Sequence, residues 1–324
     1  MRQTNFVERH RKEWDEMREF LASSKRTADS RPFAGTDFPA RYRRLCQQLS
    51  VAESRGYSRG LQQELHDLVL RAHQQLYAER IAPWRAIARF LLLEYPQLVR
   101  SQWRYLAVAF ALFIAPILIL IATIQYHPDF VHTILDPDEI ATMEFMYNPE
   151  LQDRVGRQRE ADTDFKMFTF YIRNNTSIGF RTFVGGILFG IGTVFFLLFN
   201  GLTIGAIAGH LTHLGYTETF WGFVSGHSAF ELTAIMLSGA AGLLLGHALI
   251  APGARSRRLA LRESAAVGVK LMYGAAALFL AAAFVEAYWS SLATIPVIVK
   301  YGVGGLLWIL VGAYFLIPGS RRES

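Results

Sequence analysis

The fold class predicted for this chain is all-α: a polytopic helical membrane protein with about six membrane segments, one of them crossing or re-entrant, behind an N-terminal cytoplasmic helical bundle. Three observations predict it. Residues 1–104 carry 19 Lys+Arg and 12 Asp+Glu, whereas the next 22, Tyr105 to Tyr126, carry neither. That run, YLAVAFALFIAPILILIATIQY, is long enough to cross about 30 Å of hydrocarbon at about 1.5 Å per residue. Further apolar segments follow it. The mean hydropathy of +0.20 and the 52% apolar content are therefore averages over two unlike halves, and an ordinary globular enzyme is excluded.

The N-terminal hundred residues read as helices. In FVERHRKEWDEMREFL, Phe6, Trp14, Met17, Phe20 and Leu21 recur at helical spacing, with charge on the other face. The stretch Arg31 to Pro39 interrupts the pattern. It resumes in ARYRRLCQQLSVAES, pauses at Gly56-Tyr57-Ser58 and continues in LQQELHDLVLRAHQQLYAER. A fourth segment, Trp84 to Val99, mixes Arg85 and Arg89 with Phe90 to Leu93, which suits either a helix in the headgroup layer or a buried bundle helix. The first domain is placed at 1–100 and the transmembrane domain at 101–324. Because the first apolar run begins only at Tyr105, a cleavable signal peptide is not expected. Cys46 is the single cysteine, so an intrachain disulfide or CxxC motif is excluded.

The remaining spans are expected near 180–199, 202–214, 220–252, 269–289 and 294–318. Arg100 and Arg104, Arg255 to Arg262, and Arg321 with Arg322 mark the cytoplasmic side by the positive-inside rule. The loop at 127–164 has ten acids and three arginines, a net of −7, and suits the outside. Six crossings with both termini cytoplasmic satisfy both charges. The expected location is the bacterial inner membrane.

Four-residue glycine spacing at Gly186 and Gly190, at Gly201, Gly205 and Gly209, and again at Gly242 and Gly246 predicts close helix packing, within the chain or across a homodimer. Asn200-Gly201 lies inside an apolar stretch. It predicts either a helix break, as in the discontinuous helices of transporters, or a simple turn.

In SGHSAFELTA, His227 and Glu231 stand four apart and share a helix face, where they could share a proton or ligate a metal. Ionisable residues in a membrane are costly, so the pair is a candidate site, or else a structural pair. A metal needs more ligands, and His210 and His213 qualify by type only; no metal and no cofactor are expected. Asn174-Asn175 reads as a cap or interface pair. Glu286 and His247 read as snorkelling residues near span ends. The basic N-terminal segment, net +7, suits anionic lipid and lacks the pattern of a nucleic-acid binder.

The order NNTSIGF, GILFGIGTVFFLLFNGLTIGA, GHSAFELTAIMLSGAAGLLLG and Pro252 resembles the stage II sporulation protein M family of bacterial inner-membrane proteins. RYRRLCQQLSVAESRGYS with LVLRAHQQLY is similar to its longer members from bacteria that do not sporulate. The resemblance covers most of the chain and rests on Gly192-Thr193, Asn200-Gly201, His227 and Glu231. One departure is visible: members often have Pro before that His, and here it is Gly226. The resemblance implies a polytopic helical protein without established enzymatic activity and a scaffold role beside envelope enzymes. It also implies a MoxR-type ATPase or von Willebrand factor A-domain protein as a partner.

The leading expectation is thus a non-enzymatic, homodimeric scaffold linked to envelope remodelling. The alternative is a transporter or channel built on Thr193, Asn200, Gly201, His227 and Glu231. An intramembrane metalloenzyme would need a bound metal in stoichiometric amount.

Overall fold

The computed structural model describes residues 2–22, 37–77, 83–151 and 161–317. Among the described residues the chain is helical with no strand, and it divides into two compact units, Met1–Ala86 and Ile87–Ser324.

The first unit packs α1 (Gln3–Ala22), α2 (Phe38–Ser54) and α3 (Arg59–Tyr77). The stripe seen in the sequence is its core: Phe6, Trp14, Met17 and Phe20 meet Phe38, Leu45, Leu61, Leu65 and Leu68. Burying a Leu or Phe side chain contributes roughly 1.5–3 kcal/mol, so this cluster suffices to hold three short helices together.

The boundary differs from the one expected after residue 100. Residues 87–101, comprising the end of α4 (Pro83–Arg89), a π-turn at Phe90–Glu94 and α5 (Tyr95–Ser101), belong with the second unit. Their apolar side chains explain this. Tyr95 is buried and donates its hydroxyl to Leu271 O at 2.9 Å, and Arg100 donates to Phe315 O at 2.9 Å. Ile87, Leu92 and Leu93 stay exposed, so the segment has both a packed face and an apolar free face, as a helix at a membrane surface requires.

The second unit continues with α6 (Trp103–Tyr126), α7 (Val131–Ile134), α8 (Pro137–Tyr147), α9 (Ala161–Val184), α10 (Ile191–His213), α11 (Thr217–Ile250), α12 (Arg257–Val285, extended by a π-turn at Glu286–Ser290) and α13 (Val297–Leu316). Five of these, α6, α10, α11, α12 and α13, are long and apolar enough to cross a membrane. Helix α11 is the axis of the bundle. In its apolar window 78% of residues are buried, against 17–39% in the other four. The outer helices instead expose Phe110, Leu118, Phe195, Ile298 and Ile309, which water would not tolerate in such numbers but lipid does.

Contacts between helices set their directions. Gly201 meets Phe113, Gly205 meets Ile117 and Gly209 meets Ile121, so α6 and α10 run parallel. Gly179 meets Ser238 and Gly186 meets Gly242, so α9 runs parallel to α11 and opposite to α10. Gly226 meets Ser290 while Gly268 meets Ala241, making α12 antiparallel to α11. Gly222 meets Lys300 and Gly304 meets Ser225, making α13 parallel to it. Helix α9 therefore traverses the same thickness as the five apolar helices, although Lys166, Arg173, Asn174, Asn175 and Arg181 make it too polar to register by hydropathy.

This corrects the expected segments at 180–199 and 202–214. There is no break at Asn200-Gly201 and no short re-entrant piece; α10 is continuous from Ile191 to His213. Asn200 closes its own polar need by donating Nδ2 to Phe196 O at 2.7 Å, and Gly201 is there because an added Cβ would lie 2.6 Å from Phe113 O. The chain reverses a dozen residues earlier, at a 3-10 turn over Gly185–Ile187, where Phe189 and Gly190 adopt φ of 53° and 83°. Glycine accepts that left-handed backbone without steric cost.

The bundle thus has two chemically distinct ends. One carries Arg100, Arg104, Arg181, Arg255, Arg257 and Arg258; the other carries α7, α8 and their acidic side chains Asp129, Asp136, Asp138, Glu139 and Glu144. They are called the basic and acidic ends below.

Candidate functional site

The polar interior of the bundle begins with the α-helical register of α11. Residues 227 and 231 lie one turn apart on one face, so His227 Nε2 and Glu231 Oε2 stand 3.7 Å apart. His227 is only 5% exposed. It lies ten residues, about 15 Å, into α11, level with the last turn of α12.

Helix α12 supplies the rest. Its last turn widens into a π-helix at Glu286–Ser290, a form common at functional sites. Glu286 and Ser290 are both buried, and His227 Nδ1 lies 3.3 Å from Ser290 Oγ. Gly226 makes the approach possible. A Cβ there would meet the Trp289 ring at 2.5 Å and Ser290 Oγ at 2.7 Å, so no residue larger than glycine fits against this turn without a shift. From α13, Lys300 is buried and donates Nζ to Ser290 O at 2.8 Å.

One ligand atom each from His227, Glu231 and Glu286 falls within 4.8 Å of the others. Two of these residues were legible from sequence, whereas Glu286 was read as a snorkelling residue near a span end. The structure corrects that reading: Glu286 is 8% exposed, and among the described residues its Oε2 has no hydrogen bond of ordinary length. The reading of Asn174-Asn175 as a cap also fails. Both lie within α9, and Asn175 is buried facing the Glu286 carboxyl, yet its Nδ2 too lacks a partner at ordinary distance.

Two cavities flank the cluster. One, of about 530 Å³, lies among α10, α11 and α13; His227 and Glu231 are on its wall, and Ile204, Val224, Leu232 and Trp308 make it largely apolar. The other, of about 480 Å³, lies toward the acidic end; Ser290 and Lys300 are on its wall with Tyr147, Tyr171 and Glu218. Tyr147 borders both. Burial pushes its phenol well above the usual value, reinforced by Tyr171, Glu286 and Glu231, so it stands over the cluster as a neutral hydroxyl.

The other candidate residues fall elsewhere. Thr193 is fully buried and donates to Thr182 O at 2.7 Å, bridging α9 and α10; neither it nor Asn200 or Gly201 lines the cavity beside His227. His210 pairs with Glu144 at 2.7 Å, His213 is exposed, and His247 meets the Tyr105 hydroxyl at 2.6 Å. The glycine stripes are filled from within the chain: Gly186 abuts Gly242, Gly190 abuts Gly246, and Gly201, Gly205 and Gly209 abut α6.

The sequence model of stage II sporulation protein M matches residues 108–291. The chain belongs to the stage II sporulation protein M family. The matched region contains α9 to α12 and therefore His227, Glu231, Glu286 and Ser290. A second model, a domain of unknown function, matches residues 4–78, which is the three-helix unit. No curated protein and no solved structure matches the chain. Within the series that carries the resemblance, geometry separates two roles. Gly192-Thr193 and Asn200-Gly201 let helices approach, while His227 and Glu231 converge with Glu286.

Proposed function

We propose that this family member is a membrane transporter-type protein that binds a small ion or solute at the His227–Glu231–Glu286 cluster. The observation that carries it is the cluster's position: three ionisable side chains from two helices, His227 and Glu286 buried and Glu231 partly buried, with His227 and Glu231 on the wall of a largely apolar cavity among helices apolar enough to cross a membrane. Burying an ionised carboxylate costs several kcal/mol unless it is compensated. A purely structural bundle gains nothing by keeping two of them. The helix break offered in the sequence as a second support is gone, and the reading rests on the cluster alone.

The basic end is taken as cytoplasmic, because its arginines sit where the positive-inside rule expects them. That makes the inner membrane the location and puts the 214–216 turn outside. Thiol labelling of a cysteine introduced at position 216 from the outer face supports this orientation; labelling from the cytoplasm overturns it. Flux of protons and of mono- and divalent cations is to be measured in proteoliposomes. Wild-type flux above protein-free vesicles, lost in Glu231→Gln and Glu286→Gln with unchanged melting, is the expected result. Wild-type vesicles no leakier than empty ones would overturn the reading.

A second reading, a non-enzymatic homodimeric scaffold linked to envelope remodelling, is favoured by the separately folded three-helix unit and its basic charge. That unit would dock partners, with MoxR-type ATPases and von Willebrand factor A-domain proteins the candidates from family context, and anionic lipid beside them. The expected result is a crosslinked dimer or partner complex. A strict monomer from which nothing is captured contradicts it. A dimer would have to use surfaces other than the glycine stripes, which are already filled.

A further inference from the structure

We propose that His227, Glu231 and Glu286 bind one divalent transition-metal ion of the zinc class. The inference deepens the reading above and rests on it only in taking this cluster, rather than helix packing, as the working part of the bundle.

Four observations carry it. First, the donor set is right in type and spacing. Zinc bound to imidazole nitrogen and carboxylate oxygen at about 2.0–2.2 Å in a tetrahedron holds its donors roughly 3.5 Å apart. His227 Nε2 and Glu231 Oε2 already stand at 3.7 Å, with Glu286 inside the 4.8 Å limit that includes all three. Second, Glu286 is more than nine-tenths buried with a ligand atom inside the group, and among the described residues its Oε2 has no hydrogen bond of ordinary length, although the Asn175 amide faces the carboxyl. Leaving such an acceptor unpaired is unfavourable unless something positive occupies the space it faces.

Third, Ser290 Oγ faces Nδ1 of His227. A ligating imidazole normally donates its other ring N–H to an oxygen, and Ser290 Oγ stands where it would accept from Nδ1, which leaves Nε2 on the side of the two carboxyl groups. Fourth, the neighbouring cation does not fill that role. Lys300 donates to the Ser290 carbonyl, and among the described residues it makes no ion pair with either carboxylate.

Charge selects the class of metal. Two carboxylates and a neutral imidazole around a divalent ion sum to zero, which suits a low-dielectric interior. Calcium and magnesium prefer six or more oxygens, whereas imidazole suits zinc and its neighbours. Among the described residues no fourth His, Cys, Asp or Glu joins the group. The last position therefore falls to water or to a ligand from the cavity that His227 and Glu231 line.

The test uses the full chain in detergent, stripped with chelator and titrated with Zn²⁺ by calorimetry and with Co²⁺ by visible absorption. One ion per chain at micromolar affinity or tighter, with the intense bands of four-coordinate Co²⁺, is expected. Glu286→Gln and His227→Ala should each weaken binding at least 100-fold, while His213→Ala, an exposed histidine, leaves it unchanged. Zn²⁺ should raise the melting temperature of wild type but not of Glu286→Gln, which keeps the readout meaningful if the apo variants are less stable. Equal binding by wild type and both cluster variants, or no binding, overturns the site. Cation flux without metal binding would sink this inference and leave transport standing. Tight metal binding without any flux would keep the site and sink transport.

Discussion

The two units bury polar groups in opposite ways. In the three-helix unit, Gln48 is buried and fully engaged: its Oε1 accepts from Trp14 Nε1 at 2.7 Å, and its Nε2 donates to Glu13 at 2.8 Å and faces His10 Nδ1 at 3.0 Å. In the membrane unit, Glu286 Oε2 and Asn175 Nδ2 are buried, and among the described residues neither has a hydrogen bond of ordinary length although the amide faces the carboxyl; His227 reaches Ser290 only at 3.3 Å. A polar group that serves packing has its hydrogen bonds closed, because an open one costs about 1–3 kcal/mol. Polar groups that cluster with carboxylates without closed hydrogen bonds are what the proposed ion site would account for.

The comparison can be broken by substitution. The largest effect is expected at Gly186→Leu, since even a Cβ would lie 2.1 Å from Gly242 O. Helix α9 would have to leave α11, and size-exclusion profiles should show loss of monodisperse protein, beyond the usual 1–3 kcal/mol of overpacking. Next comes Trp14→Ala in the three-helix unit, which removes a fully buried ring and the donor to Gln48. About 3–5 kcal/mol should be lost there, measured by denaturant unfolding. Gln48→Ala should cost about 1–3 kcal/mol, because it leaves the Trp14 N–H unpaired.

The smallest effect sharpens the contrast. Metal-free Glu286→Gln should be as stable as wild type within about 0.5 kcal/mol, or more stable, since it removes a buried carboxyl that no cation pairs with among the described residues. If Glu286→Gln instead destabilises as Gln48→Ala does, the cluster is a closed structural network and the contrast between the units disappears.

Physical reasons explain what was legible in the sequence. The i, i+4 spacing of His227 and Glu231 within an apolar stretch was enough to single them out, because an α-helix brings such residues to one face. Glu286 escaped because its position near a span end admits snorkelling, whereas in the fold it is buried in the π-turn that ends α12. Helix α9 escaped as a membrane-traversing element because hydropathy counts Arg173, Asn174 and Asn175 as polar without knowing that Asn175 is buried. Asn200-Gly201 read as a break because Asn and Gly are poor helix formers, whereas an i−4 side-chain bond and a close helix contact satisfy both. The true reversal at Phe189-Gly190 looked like one more glycine in an apolar run. The stripes at Gly186 and Gly201 lie against Gly242 and α6 within the chain.

The most direct measurement is zinc K-edge X-ray absorption on the purified full chain. Stoichiometric zinc with a first shell of only nitrogen and oxygen at about 2.0–2.1 Å, an imidazole scattering signature, and loss of the metal in Glu286→Gln are expected. Zinc content far below one per chain, or an unchanged spectrum in His227→Ala and Glu286→Gln, would contradict it.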